Sequence, residues 1–343
     1  VEVIPAVTGP YTIDCTTRTA GPTGDFHLQI NPGQIDSVSY GTPPNNNAYQ
    51  LIYCPESNRL VALNNSSIAP DPYVAVINPC TMAAPVTFYL PGGVTNVPMC
   101  SCYNPLLEIV YIIGFDNVLY SLDPVTYAFT ALVSGGLYGG TVAIPAMAFD
   151  PVTNKLFVSR RAGGAVVSTG IRIFECTGHT EIDFIATTNN ESSMEVSDTG
   201  YVYFKSTAPA LKKINTVTHA ITTTAASVTS SPVSVLNEQG LLVSSIPGGF
   251  IGFFDTATDT LDSSLEVFGV TANVFDKAVW NPNRELVCLS MGINADYLMH
   301  YDLDTQEVIE IKAAEYARGA TYVDQSNCCY ASGYLSCLIY KFY

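Results

Sequence analysis

The chain has 343 residues, 13% of them charged and 48% hydrophobic, and it is rich in Gly, Pro, Tyr, Thr, Ser and Asn without long runs of Ala, Leu, Glu and Lys, which is the composition of an all-β protein. Its 30 acidic residues against 14 basic ones leave a formal charge of −16, so a phosphate backbone is repelled over most of the surface and nucleic-acid binding is excluded. The longest apolar stretch, residues 106–114, is broken by Glu108 and falls short of the roughly 20 residues a membrane helix needs, so a soluble chain without membrane insertion is expected.

The chain opens at Val1 with no basic n-region and no apolar signal segment, a start that secretion, maturation cleavage or a longer parent chain each explains. Residues 1–25 read as an N-terminal extension and 26–343 as one body. From there a short apolar strand followed by an Asp/Asn-x-x-Thr turn keeps returning. The turns are Asn78-Pro-Cys-Thr81, Asp123-Pro-Val-Thr126, Asn215-Thr-Val-Thr218, Asp255-Thr-Ala-Thr258 and Asp302-Leu-Asp-Thr305, with degenerate copies at Asn31-Pro-Gly-Gln34 and Glu175-Cys-Thr-Gly178. An Asp or Asn that opens a tight turn accepts a hydrogen bond from the backbone two residues on, and each copy predicts a hairpin.

Between successive turns lies a second hairpin. In chain order its paired strands are 48–53 with 59–63, 100–103 with 109–113, 146–149 with 155–159, 193–197 with 201–204, 232–236 with 241–245, 277–280 with 285–289, and 319–323 with 328–331. These pairs predict seven four-stranded units, an all-β seven-bladed β-propeller. The pre-turn strands number one more, because 26–30 at the start and 338–342 at the end both fit the pattern. That surplus predicts a ring closed by N- and C-terminal strands in the last blade, with inner strands from the C-terminus and an outer strand from the N-terminal region, which removes the open edges. The repeat resembles the YVTN-type and related seven-bladed propellers over nearly the whole chain after about residue 25, although the Tyr-Val-Thr-Asn signature is absent. The resemblance implies the fold and a surface-exposed binding role.

No catalytic motif and no cofactor-binding motif emerges: Gly-x-Ser-x-Gly, His-Glu-x-x-His and a phosphate loop are all missing. Gly135-Gly-Leu-Tyr-Gly-Gly140 joins two strands and offers no helix N-terminus to a phosphate. Cys176-x-x-His179 supplies two ligands where structural zinc needs four, and Asp302 of Asp302-x-Asp304 is explained by its turn, so no metal site is expected. A lactonase-like calcium site needs acidic residues at several inner-strand starts. Those starts are Ala48, Met99, Pro145, Ser193, Pro232, Asp276 and Gly319, of which one is acidic. Among the ten cysteines, Cys328 and Cys329 are neighbours that a strand points to opposite faces, Cys288 reads as a buried thiol, and Cys15 is a candidate partner for the region of Cys337.

These features predict a non-catalytic binding or assembly module on an exterior surface: a secreted or cell-surface propeller, or a structural component of a virus particle, with protein subunits or a surface glycan as partner. Neutral Thr/Ser/Ala-rich segments such as 222–231 suit that role. The alternative is a calcium-dependent lactonase-like hydrolase using the channel mouth. The loop of residues 134–143, with Asp116-Asn117 and residues 160–170, is expected on one face, offering Tyr138, Arg160, Arg161 and Asp116 for binding, since an exposed aromatic beside Arg is enriched at hot spots. Asn64, Asn65 and Asn190 match glycosylation acceptors.

Overall fold

A computed structural model of the protein describes residues 13–17, 26–30, 36–39, 48–64, 74–137, 145–160, 169–187, 193–205, 210–228, 233–267, 275–291, 297–313, 317–333 and 338–342. The repeated turns form as their chemistry dictates. Asp255 Oδ1 accepts the N–H of Ala257 at 2.8 Å and of Thr258 at 2.7 Å, while Thr258 Oγ1 donates to the same oxygen at 3.0 Å. Asn78, Asp123, Asn215 and Asp302 make the same pair of backbone contacts. In the degenerate copy the Glu175 carboxylate reaches the N–H groups of Thr177 and Gly178. Asn31-Pro-Gly-Gln34 lies outside the described residues.

Those turns separate the strands of the ring. Blade 1 is β4 (Ala48–Cys54), β5 (Arg59–Asn64), β6 (Val74–Ile77) and β7 (Val86–Phe88); blade 2 is β8 (Pro98–Asn104), β9 (Ile109–Gly114), β10 (Val118–Leu122) and β11 (Phe129–Ser134). Blade 3 is β12 (Met147–Asp150), β13 (Lys155–Arg160), β14 (Gly170–Glu175) and β15 (Thr180–Ala186); blade 4 is β16 (Ser193–Ser197), β17 (Tyr201–Lys205), β18 (Ala210–Asn215) and β19 (Ile221–Ser227). Blade 5 is β20 (Val233–Leu236), β21 (Leu241–Ile246), β22 (Phe250–Asp255) and β23 (Leu261–Glu266); blade 6 is β24 (Lys277–Asn281), β25 (Leu286–Ser290), β26 (Tyr297–Asp302) and β27 (Glu307–Ala313). All pairings are antiparallel, so the first-to-second and third-to-fourth strand connections lie at one end of each blade, here the turn face. The second-to-third and blade-to-blade connections lie at the other, the loop face. Every connection of the turn face holds one residue with positive φ: Asn58, Met82, Glu108, Tyr127, Asn154, His179, Gly200, His219, Gly240, Asp259, Glu285, Gln306 and Asn327. One left-handed residue per turn is the signature of a tight hairpin ending in a bulge.

Blade 7 combines β28 (Ala317–Val323), β29 (Cys328–Gly333) and β30 (Leu338–Phe342) with β3 (Asp36–Ser39) as its outer strand, so both termini close the ring. The N-terminal contribution differs from the predicted one. The strand β2 (Phe26–Ile30) pairs with β1 (Ile13–Thr17) in a separate two-stranded sheet, and the blade strand is Asp36–Ser39, where Val38 faces Ile339 across the ladder. An outermost strand buries little, and Ser37 is exposed, so this segment lacks the apolar pattern that marks the inner strands.

The core is divided among the junctions. Each pair of adjacent blades encloses its own cluster, and the one that seals the ring packs Leu51, Leu60 and Ile77 of blade 1 against Val323, Tyr330 and Ile339 of blade 7. Second-strand side chains also latch onto the next blade's turn. Tyr203 donates to Thr256 O and Asp259 Oδ1 at 2.9 Å, Lys155 reaches Thr216 O at 2.7 Å, and Tyr330 donates to Pro79 O at 2.8 Å. The closing junction therefore uses the same device as internal ones.

Candidate functional site: the channel and the two faces

The first strands of the seven blades surround a central channel of about 830 Å³. Among the described residues no side chain fills it. Toward the loop face its wall carries Gln50, Ser101, Glu195, Asp276, Lys277 and Arg318. Ser101 Oγ donates to Gln50 Oε1 at 2.7 Å, joining blades 1 and 2. Lys277 of blade 6 forms an ion pair with Glu195 of blade 4, spanning blade 5. Asp276 Oδ2 stands 3.5 Å from Arg318 Nε, close enough for charge attraction and too long for a strong hydrogen bond. Burial pushes the Asp276 carboxyl up to about 6, and the Arg318 charge draws it only part of the way back.

Of the acidic residues that line the channel, Glu195 and Asp276 are thus each set beside a cation. Among the described residues, the cluster of His, Cys, Asp and Glu side chains tight enough to hold a metal is Cys288, His300 and Cys329, away from the channel. Cys176 and His179 both pack around Tyr111: the Tyr111 hydroxyl lies 3.0 Å from His179 Nε2, and buried Cys176 directs its sulfur at Phe174 O. Asp302 is occupied by the N–H groups of Asp304 and Thr305.

On the loop face two of the three predicted loops meet, and Arg172 of β14, just beyond the third, reaches them. Gly135 N donates to Asn117 O at 2.9 Å, Leu137 N to Asn117 Oδ1 at 2.7 Å, and Arg172 Nη1 to Gly135 O at 3.1 Å. Tyr138, Arg161 and the Arg160 side chain lie outside the described residues. Asp116 is taken up locally: Asn96 Nδ2 donates to Oδ2 at 2.8 Å, Val118 N to Oδ1 at 3.2 Å, and the Tyr120 hydroxyl also bonds it. Its carboxylate holds the connection between β9 and β10. Asn64 is fully buried at the end of β5, which leaves no room for the glycan its motif suggests. Asn65, Asn190 and Cys337 lie outside the described residues, as does the side chain of Cys15.

The turn face offers something the sequence reading passed over. Leu106, Val125, Val152 and Val217 stand third in their turns, and Leu107 follows Leu106; they are exposed by 55%, 57%, 82%, 69% and 47% respectively. All belong to blades 2, 3 and 4. The turn conformation forces them outward, because the Asx oxygen of the first residue accepts the N–H of the third, as Asp150 Oδ1 does from Val152 at 3.0 Å and Asn104 Oδ1 from Leu106 at 2.9 Å. In blades 5 and 6 the corresponding tips include Ala257, Asn283 and Asp304. The signal was present in the turn motifs, as aliphatic residues at the third position of four of the six turns in blades 2 to 4.

No family model and no curated protein matches this sequence. Solved structures do match its shape: one described as "Structure of U3-55K" aligns with a TM-score of 0.70 at 8% identity, over 90% of this chain and 98% of that one. The same shape recurs in 1641 solved chains, so the likeness establishes the fold and selects no function.

Proposed function

We propose that the chain is a non-catalytic binding and assembly module that stands on an exterior surface, of a secreted or cell-surface protein or of a virus particle, and docks against protein subunits through the turn face of blades 2 to 4. The observation that carries this reading is the set of five exposed aliphatic side chains on one face of three successive blades. Isolated exposed Val or Leu residues need no explanation, whereas here they recur on one face, Leu106 and Val152 on the inner turns of adjacent blades 2 and 3, Val125 and Val217 on the outer turns of blades 2 and 4. Aliphatic tips suit a protein partner better than a glycan, which is held by aromatic stacking and directed hydrogen bonds. Burying each is worth about 1 kcal/mol or more.

The triple variant Leu106→Ser/Val152→Ser/Val217→Ser tests it. Sedimentation velocity over rising concentration should show self-association of the wild type that the variant loses, while the melting temperature stays within about 2 °C. Identical sedimentation of the two would remove the turn face from the proposal. A second reading, a lactonase-like hydrolase, draws on the open channel and the raised Asp276. Turnover of a lactone in the presence of calcium, lost in Asp276→Asn, would replace the first reading with the second.

A further inference from the structure

Neither reading uses a group of reactive side chains between blades 6 and 7. Cys288 on β25 lies directly across the ladder from His300 on β26. Cys329 on β29 of the next blade meets them both: the two sulfurs stand 2.6 Å apart, and the ligand atoms of all three residues lie within 4.8 Å of one another. The surroundings are apolar, formed by Leu298, Ala320, Ala331 and Tyr340, and all three residues are buried. Arg284 Nη1 is 3.1 Å from His300 Nδ1, and because a guanidinium only donates, Nδ1 accepts and the imidazole proton sits on Nε2. His300 in turn hydrogen-bonds Cys329, whose thiol is held below the usual range. Burial works against that shift, and the hydrogen bonds from Cys288 and His300 with the nearby Arg284 charge outweigh it.

We propose that Cys288 and Cys329 are joined by a disulfide in the mature protein, a covalent staple between blades 6 and 7 whose formation His300 and Arg284 assist by positioning Cys329 as the attacking thiolate. A metal fits this site less well. Two thiolates sharing a tetrahedral zinc with bonds near 2.3 Å stand about 3.8 Å apart, and among the described residues no fourth His, Cys, Asp or Glu joins the three.

The oxidant is a small-molecule disulfide of the glutathione class. The Cys329 thiolate attacks one of its sulfurs, forms a mixed disulfide and expels one thiolate. Cys288 then gives up its proton and attacks Cys329 Sγ, which expels the second thiolate and leaves the Cys288–Cys329 bond. The protons lost from the two cysteines end on the two released thiols, so the small disulfide is reduced as the cysteine pair is oxidised. Both sulfurs are buried once the ring is closed, which sets the reaction at the stage when blade 7 docks onto blade 6. The inference stands on its own geometry, and such a bond belongs to the oxidising compartments that an exterior protein passes through.

The test uses the full chain refolded with oxidised glutathione, then denatured under alkylating conditions and mapped by mass spectrometry. The peptides bearing Cys288 and Cys329 should appear linked. Reduction should lower the melting temperature by roughly 5 °C, as expected for a bond closing a 41-residue separation. A Cys288→Ser/Cys329→Ser variant should not respond to reductant. His300→Asn should reach the same linked product about tenfold more slowly, a kinetic effect that a purely structural histidine would not produce. Recovery of both cysteines alkylated from unreduced protein, or of one bound zinc or copper(I) ion per chain with the thiols unlinked, would overturn the proposal. An unchanged rate in His300→Asn would strip His300 of its positioning role. Mapping the wild-type chain keeps the test valid should a serine variant fail to fold.

Discussion

Carboxylates on the two faces of the ring are driven in opposite directions. At the turn face, hydrogen bonds from the backbone hold Asp255 and Asp302 below the usual carboxylate range, led by the Thr258 and Thr305 N–H groups. At Asp123 some burial pushes upward, and bonds from Thr126 and Val125 overcome it. At the loop-face mouth, burial pushes Asp276 up to about 6, with Arg318 too distant to compensate. The turn face fixes its anions with dipoles that the local chain supplies, whereas the mouth takes an anion out of water and answers it across a blade junction. The turn face is therefore a local construction, and the mouth at Asp276 depends on blade 7 docking onto blade 6.

The sharpest way to probe that difference is to crowd each end. A Cβ at Gly319 would lie 2.7 Å from the backbone N of Leu51 and 3.0 Å from Ser332 Oγ, at the seam between blades 7 and 1. Backbone cannot swing aside as a side chain can, so Gly319→Ala should cost about 3 kcal/mol in chemical denaturation. At the turn face a Cβ on Gly178 would approach nothing closer than 3.4 Å, and Gly178→Ala should stay within about 0.5 kcal/mol of wild type. Equal losses at the two sites would mean that the seam is no tighter than a turn.

The same division governs what the sequence reveals. The seven strand pairs are legible because inner strands buried on both faces read as unbroken apolar runs, as in Leu286–Ser290, and because each turn carries its own Asx residue. The outer strand Asp36–Ser39 is not legible, since an exposed edge imposes no pattern, while the apolar Phe26–Ile30 imitates a blade strand. Site residues divide likewise. The turn role of Asp302 follows from four consecutive residues. The apposition of Asp276 with Arg318, of Glu195 with Lys277, or of Cys288 with Cys329 joins segments 41 or more residues apart, or blades that one repeat cannot relate. The aliphatic turn tips were readable in principle, and a search for catalytic residue types is blind to them.

Charge at the mouth gives the second probe. A carboxyl that titrates near 3.9 in the unfolded chain and at about 6 in the folded one favours folding in its protonated form. Its contribution is complete below pH 4 and is lost as pH rises through 6, reaching at most about 3 kcal/mol for a shift of some two units. Asp276→Asn should therefore raise stability at pH 7.5 by about 1–2 kcal/mol, the remainder being lost because Arg318 no longer faces an anion. At pH 3.5 variant and wild type should coincide. A difference of the same size at both pH values would show that packing, and not ionisation, is being measured.

At the turn face the sign reverses and the effect is smaller. Carboxyls held below their unfolded value contribute stability that is present above about pH 3.9 and is lost as pH falls through the folded values of Asp123, Asp255 and Asp302. The protein already contains the control for removing that charge, because Asn215 Oδ1 accepts Val217 N at 3.0 Å and Thr218 N at 2.8 Å in the same turn, and Asn78 does so in blade 1. The triple variant Asp123→Asn/Asp255→Asn/Asp302→Asn should keep every turn hydrogen bond and be somewhat less stable than the wild type at pH 7. As the pH is lowered from 5 toward 2.5, it should lose less stability than the wild type, since three groups that must take up protons on unfolding are gone. These carboxylates are largely exposed, so added salt should leave the hydrogen-bonded part of the difference while screening the rest. An acid limb running parallel to that of the wild type would show that the lowered carboxyls have no bearing on stability, and the contrast between the two faces would rest on Asp276 alone.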